Sequence, residues 1–263
     1  VKTILDEIVA NRRIEVEQQK SKISIEELEQ QIDFSVKVNS LSESLQKEGA
    51  SGIIAEFKRQ SPSKGVINDK VFPEIVTSGY MNAGVSGISV LTDEKYFGGH
   101  INDLKKAREA VPGVPLLRKD FMVDEYQIVE ARSIGADVIL LIAAVLSREE
   151  IKDFTSVAHR VGLEVLLELH DESEIEKITP EVDIIGINNR NLKDFTVDIE
   201  RSIKLFEKLP AEMIKIAESG ISSPATVDLL RDNGFKGFLM GENFMKEENP
   251  GEACREFISD LKI

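Results

Sequence analysis

Eight short apolar runs recur along the chain: GIIAEF (52–57), GISVLT (87–92), VPLLRKD (114–120), DVILLI (137–142), LEVLLEL (163–169), DIIGINN (183–189), MIKIAES (213–219) and KGFLMG (236–241). Several are nearly continuous rather than alternating, the pattern of strands covered on both faces in a parallel sheet. The segments between them carry helix signals. In SREEIKDFTSVAHRVG, Ser147 is placed as an N-cap with Glu150 three residues on, and Gly162 as the stop. In SSPATVDLLRDNG, Ser223 caps, Pro224 takes the first helical position and Gly234 falls just past the end; NPGEACREFISDLK repeats the Asn-Pro start. Strands and helices alternating in this way predict a (β/α)8 TIM barrel. The competing architecture is an open doubly wound sheet, which calls for a GxGxxG after one strand; none is present.

The first 49 residues stand outside this repeat. Ile4, Leu5, Ile8, Val9 and Ile14 form one apolar stripe at helical spacing, and SIEELEQQI reads as a second short helix capped by Ser24. We expect a helical N-terminal extension, residues 1–49, packed on the barrel within one domain spanning 1–263. An amphipathic arm for a partner protein is the alternative. The chain ends with one helix after the eighth strand, so no further domain is expected there.

Composition narrows the classes. With 47 acidic against 33 basic residues and a formal net charge of −14, the chain lacks the excess of clustered cations that binding to nucleic acid requires. No apolar stretch approaches the roughly 20 residues of a membrane helix, and the start VKTILDEIVANRR has acidic residues where a signal peptide needs an apolar block, so a cytoplasmic protein off the membrane is expected. A single cysteine, Cys254, reads as a small residue within a helix. His100 reads as a surface residue, and His159 and His170 lie in or beside helices with no matching partner. No metal site is expected.

In a barrel the chemistry sits at the C-terminal ends of the strands. Here the first run closes on Glu56 and Lys58, the third on Lys119 and Asp120, the fifth on Glu168, the sixth on Asn188 and Arg190, and the seventh on Glu218 and Ser219. Glu56 and Lys58 are two apart and share a face; Arg59 alternates to the other side and reads as structural, and Lys64 falls on the following loop. So many charged and amide groups on one rim would be costly to bury without mutual pairing or function. Gly220 and Gly241 follow the last two strands, where barrels often hold a phosphate on backbone N–H groups.

The segments AEFKRQSPSKG, ISVLTDEKYFGG, LLRKDFMVDEYQI, IGINNRNLKDF, AESGI and GFLMGENFM together resemble the indole-3-glycerol-phosphate synthase family of tryptophan biosynthesis, in the family's order from about residue 50 to 245. The resemblance implies a carboxy-lyase that closes the pyrrole ring of 1-(2-carboxyphenylamino)-1-deoxyribulose 5-phosphate with loss of carbon dioxide and water, using no metal or organic cofactor. It makes Lys119 the general acid at the substrate carbonyl, Lys58 a second acid for dehydration and Glu168 the proton acceptor. Glu56 orients the lysines, and Glu218 and Asn188 steady the intermediate. The phosphate is assigned to Gly220, Gly241 and the backbone at Glu242 with help from Lys58, and the carboxylate to Ser61 and Arg190. Phe97, Phe121 and Leu140 wall the aromatic ring, and Ser219 joins the substrate-binding set. Two positions depart from the pattern: Glu242 and His100 stand where Ser is frequent, and Glu242 fits only if its side chain turns from the phosphate. Another phosphosugar isomerase or epimerase, or a non-catalytic phosphometabolite-binding protein, are the alternatives.

Overall fold

Each apolar run becomes one strand of a closed parallel barrel in the computed structural model, which describes residues 3–190 and 196–262. The strands are β1 (Ile53–Phe57), β2 (Gly87–Leu91), β3 (Leu116–Lys119), β4 (Val138–Ile142), β5 (Glu164–Leu169), β6 (Ile184–Asn188), β7 (Ile214–Glu218) and β8 (Gly237–Met240). Each pairs with its neighbour in sequence, and β8 closes on β1, so the open doubly wound alternative is excluded. Segment 191–195 of the IGINNRNLKDF motif lies outside the described residues.

Helices fill the crossovers: α4 (Pro73–Ala83), α5 (Glu94–Phe97), α6 (Ile101–Ala110), α7 (Glu125–Ser133), α8 (Arg148–Arg160), α9 (Ile199–Phe206), α10 (Pro224–Asp232), α11 (Glu242–Met245) and α12 (Pro250–Ser259), with a 3-10 turn at Glu172–Lys177 after β5. The caps fall where the sequence placed them. Ser147 and Glu150 form a capping box, Ser223 caps a helix that begins with Pro224, and Asn249 caps one that begins with Pro250. Strand alternation then divides the core in two. One face of β1 sends Ile53, Ala55 and Phe57 out to the helices; the other sends Ile54 into the barrel with Leu117, Leu140, Leu166, Ile184, Ile216 and Leu239. Cys254 is buried in α12, and burial pushes its thiol up to about 12.

The N-terminal extension touches both ends of the barrel. At the bottom, α3 (Leu41–Gln46) inserts Leu41 and Leu45, one helical turn apart, into the interior core. Glycine makes the room: a Cβ on Gly87 would lie 2.7 Å from Leu41 Cδ1, and one on Gly237 would lie 3.0 Å from Leu45 Cδ2. Glu164, first in β5, accepts hydrogen bonds from Ser40 Oγ and from the N–H groups of Leu41 and Ser42, placing an anion at the helix N-terminus. The second short helix, α2 (Ile25–Gln30), is capped by Ser24 as expected.

At the top lies α1 (Ile4–Lys20), and its buried stripe differs from the one read in the sequence. Ile14 is 61% exposed, whereas Ile8, Arg12 and Val16 are buried. Arg12 goes under because it meets Asp93 at 2.8 Å, Asp120 at 2.9 Å and Glu15 at 2.9 Å, and a buried charge is tolerated only with such partners. No described helix is long and apolar enough to cross a membrane.

Candidate active site

A cavity of about 550 Å³ opens at the C-terminal ends of the strands, and every candidate catalytic and substrate-binding residue singled out in the sequence lines it. Its floor is apolar, with Leu140 and Leu239 rising from the interior core. Above them the inward positions turn polar. Lys119 Nζ, at the end of β3, donates to Glu168 Oε2 and to Glu218 Oε2, each at 3.0 Å. Asn188 Nδ2 donates to Glu168 Oε1 at 3.2 Å. Across the mouth, Lys58 Nζ donates to Glu56 Oε1 at 2.6 Å, and Ser89 Oγ donates to Glu56 Oε2 at 3.1 Å. Five strand ends thus meet in two linked clusters of charge.

Burial and pairing oppose each other at every one of these groups, and the winner differs. Burial alone would discharge Lys119, but Glu168, Glu218 and Glu56 outweigh it and raise its pKa above the ordinary lysine value. Burial likewise works to raise Glu56, yet Lys58, Lys119 and the Ser89 hydroxyl hold it below the usual carboxylate range. Glu168 is held well below that range against its burial by Lys119 and His170. Glu218 goes the other way: burial pushes it up to about 8, Lys119 opposes, and the negative Glu168 adds to the rise. Burial and pairing therefore push the two carboxylates on Lys119 apart, Glu168 downward and Glu218 upward. Such a divided pair is the arrangement that separates a base from a hydrogen-bond donor.

The remaining positions form the walls. Asp93 caps α5 by accepting from the N–H groups of Tyr96 and Phe97, which fixes Phe97 opposite Phe121 with ring centroids 6.0 Å apart. Ile4, Leu5 and Ile8 of α1 complete the apolar side. Ser61 belongs to a small hairpin, Gln60–Ser61 with Gly65–Val66, on the loop after β1. Arg190 follows β6, where its N–H donates to Asn188 Oδ1 at 3.0 Å and its backbone bridges to Val197. After β7 the chain turns sharply through Ser219 and Gly220, both at positive φ (67° and 70°); for a serine that conformation stores strain. Gly241 follows β8 and precedes α11. Glu242 Oε1 lies 3.3 Å from Lys64 Nζ, so the acidic side chain reaches the loop after β1.

Arg59 stands on the outer face as expected, paired with Asp103 and stacked over Phe57. His100 is half-exposed and caps α6 through Nδ1. His159 and His170 correct the sequence reading, because both have partners. His159 Nε2 lies 2.9 Å from Asp183 on the surface, and the buried His170 places Nε2 3.0 Å from Glu168 Oε1. Sequence reasoning also missed Ser89 and Gly186. Ser89 is the polar position on the inward face of β2, and Gly186 leaves space that a Cβ would take from the Glu218 carboxylate. A lone glycine inside a strand was the available signal for the second. No group of three or more His, Cys, Asp or Glu among the described residues is arranged to hold a metal ion.

The chain is also similar to known proteins over nearly its whole length. A family model described as "Indole-3-glycerol phosphate synthase" matches residues 5–257. Proteins of that name are similar over nearly the whole chain. The one from Bacteroides thetaiotaomicron is 48% identical over 262 residues, covering 100% of both chains. That from Salinibacter ruber is 41% identical, covering 99% of this chain and 97% of its own. That from Neisseria meningitidis serogroup B is 42% identical, covering 94% and 95%. Among solved structures, 3-hexulose-6-phosphate synthase from Salmonella typhimurium superposes with a TM-score of 0.64 at 15% identity, over 79% of this chain and 97% of that one. Tryptophan synthase subunit alpha from Legionella pneumophila gives 0.61 at 13% identity, over 84% and 96%. At such low identity these two likenesses speak to the fold alone.

Proposed function

The chain belongs to the indole-3-glycerol phosphate synthase family, and from that membership we propose that the barrel mouth closes the indole ring of 1-(2-carboxyphenylamino)-1-deoxyribulose 5-phosphate through the residues described above. The observation that carries this reading is the position of Lys119, its ammonium 3.0 Å from both Glu168 and Glu218 above an apolar floor. Ring closure turns the substrate carbonyl oxygen into an alkoxide, and a buried ammonium is the group to meet that charge. Lys119 is held firmly protonated by its acidic neighbours, so it acts first as a fixed positive charge. It yields its proton only to a base as strong as the alkoxide. Loss of carbon dioxide restores the ring, and loss of the hydroxyl as water needs a second acid. Lys58, anchored on Glu56, has that role.

Glu168 takes the proton released as the pyrrole forms, and it is the ionised member of its pair, as a base must be. Glu218, protonated, and Asn188 steady the intermediate's hydroxyls. The phosphate lies against the backbone at Ser219, Gly220, Gly241 and Glu242, with Lys58 beside it. The pairing of the Glu242 side chain with Lys64 supports leaving only its backbone for the anion. Ser61 and Arg190 take the carboxylate, Arg190 offering a planar fork. Phe97, Phe121 and Leu140 enclose the aromatic ring. Membership of a small-molecule biosynthetic enzyme family supports a cytoplasmic location.

The test is direct. Purified protein given the carboxyphenylamino-deoxyribulose phosphate should produce the indole chromophore, and Lys119→Ala or Glu168→Ala should cut turnover by orders of magnitude. Normal turnover in both variants would sink the assignment. Turnover of aldose or ketose phosphates in place of indole formation would favour a sugar-phosphate isomerase.

A further inference from the structure

Lys119 alone cannot decide which of its two carboxylates is the base. Its Nζ stands 3.0 Å from Glu168 Oε2 and 3.0 Å from Glu218 Oε2, and both acids are buried. The asymmetry must come from their outer oxygens. Glu218 Oε1 has no hydrogen-bond partner among the described residues and faces the space over Gly186. Glu168 Oε1, by contrast, accepts a hydrogen bond from Asn188 Nδ2 at 3.2 Å and lies at ion-pair distance, 3.0 Å, from His170 Nε2. His170 follows Glu168 by two positions and so projects from the same face of the chain. It does not line the cavity, and it is itself fixed from behind. Its backbone N–H donates to Glu174 Oε2 at 2.7 Å, and that oxygen lies 3.8 Å from its Nδ1.

We propose that His170 is a positioning residue which assigns the base role to Glu168: held between Glu168 and Glu174, its imidazolium keeps the Glu168 carboxylate ionised and aimed at the cavity, leaving the shared proton on Glu218. The inference rests on the reading of Glu168 as the base. The groups facing the ring are Glu168 at the end of β5 and Glu174 in the 3-10 turn, with Lys119 and Glu218 beyond Glu168. Burial would discharge the imidazole, but the two carboxylates outweigh it and raise it to about 10, so the cation is present across the neutral range. A cation on Glu168 lowers the pH at which the base is lost by protonation. Removing that cation should move the acidic limb of the pH profile upward.

The experiment compares wild type with Glu168→Gln, His170→Gln and His170→Leu, recording kcat, KM and the pH dependence of kcat/KM for indole formation. Glu168→Gln should be nearly inactive. His170→Gln keeps a donor without the charge; its acidic limb should rise by about one to two pH units with KM within twofold. His170→Leu removes donor and charge together and should also lose about tenfold in kcat. An inactive Glu168→Gln beside unchanged limbs and kcat in both His170 variants overturns the proposal and leaves the base assignment standing. An active Glu168→Gln overturns the base assignment, and the proposal falls with it. Should His170→Leu fail to fold, His170→Gln and the 15N spectrum of histidine-labelled wild type decide. Imidazolium signals for His170 at pH 8 support the role, and a neutral ring at that pH overturns it.

Discussion

The two ends of the barrel are made from the same strands and closed by the same N-terminal extension, yet they are built on opposite principles. At the bottom, Leu41 and Leu45 of α3 fill notches over Gly87 and Gly237, and the polar group recruited there, Glu164, serves the helix N-terminus. At the mouth, α1 contributes Ile4, Leu5 and Ile8 to a cavity whose strands end in buried charge, where one carboxylate oxygen of Glu218 has no hydrogen-bond partner among the described residues. Packing at the bottom holds the barrel closed. Charge at the mouth is retained at a cost to stability, because a buried ionisable group needs partners that substrate later competes for. Substitutions at the bottom should therefore move melting, and those at the mouth should move turnover.

The largest effect expected is on Glu168→Gln. Losing the proposed general base should lower kcat by about 10²–10⁴-fold, while Lys119 keeps Glu218 as its partner, so the melting temperature should change by only a few degrees. Collapse of the fold in a thermal melt would show that the mouth is structural too. Next comes Leu41→Ala or Leu45→Ala. Each should cost about 2–5 kcal/mol in denaturant titrations, as buried leucines do, with kcat near that of wild type. A large loss of kcat at full folding would mean that the bottom reaches the chemistry.

Glu218→Gln should separate stability from activity by pH. Glu218 is raised from an ordinary 4.5 to about 8 in the folded chain. Below pH 4.5 it is protonated in both states and costs nothing; as pH rises from 4.5 toward 8, only the unfolded chain releases the proton, so stability falls. Glutamine does not titrate. The variant's melting temperature should match wild type near pH 5 and exceed it by a few degrees at pH 8, while turnover drops. An equal difference at both pH values would contradict the raised pKa. The smallest effect belongs to Glu242→Ser. Its exposed pair with Lys64 is worth about 1 kcal/mol or less, so melting should barely move, and removing an anion beside the proposed phosphate site should lower KM severalfold at low salt. A raised KM would instead make the Lys64 pair part of the binding surface.

Much of this was legible in the chain. Continuous apolar runs mark strands buried on both faces, and Ser-Pro and Asn-Pro starts mark helix entries, because both patterns are local. The rim residues were legible for the same reason: Glu56 and Lys58, or Lys119, close a run whose end a barrel turns toward its mouth. Long-range partners were not. Arg12, outside the apolar stripe read in α1, is buried because Asp93 and Asp120, far along the chain, meet it. That exchange places Arg12 under the helix and leaves Ile14 outside. His170 lay in view, two residues after Glu168 and four before Glu174, but the bend that brings all three together belongs to the strand end and the 3-10 turn after it.

By itself the sequence determined the repeat, the strand ends and the inventory of acids, bases and amides at the mouth, since each depends on neighbours a few positions away. Only the tertiary structure decided which carboxylate is pushed toward ionisation and which away from it. That outcome turns on charges brought from four strands into one low-dielectric space, where Lys119 serves two acids equally and His170 and Asn188 stand beside only one.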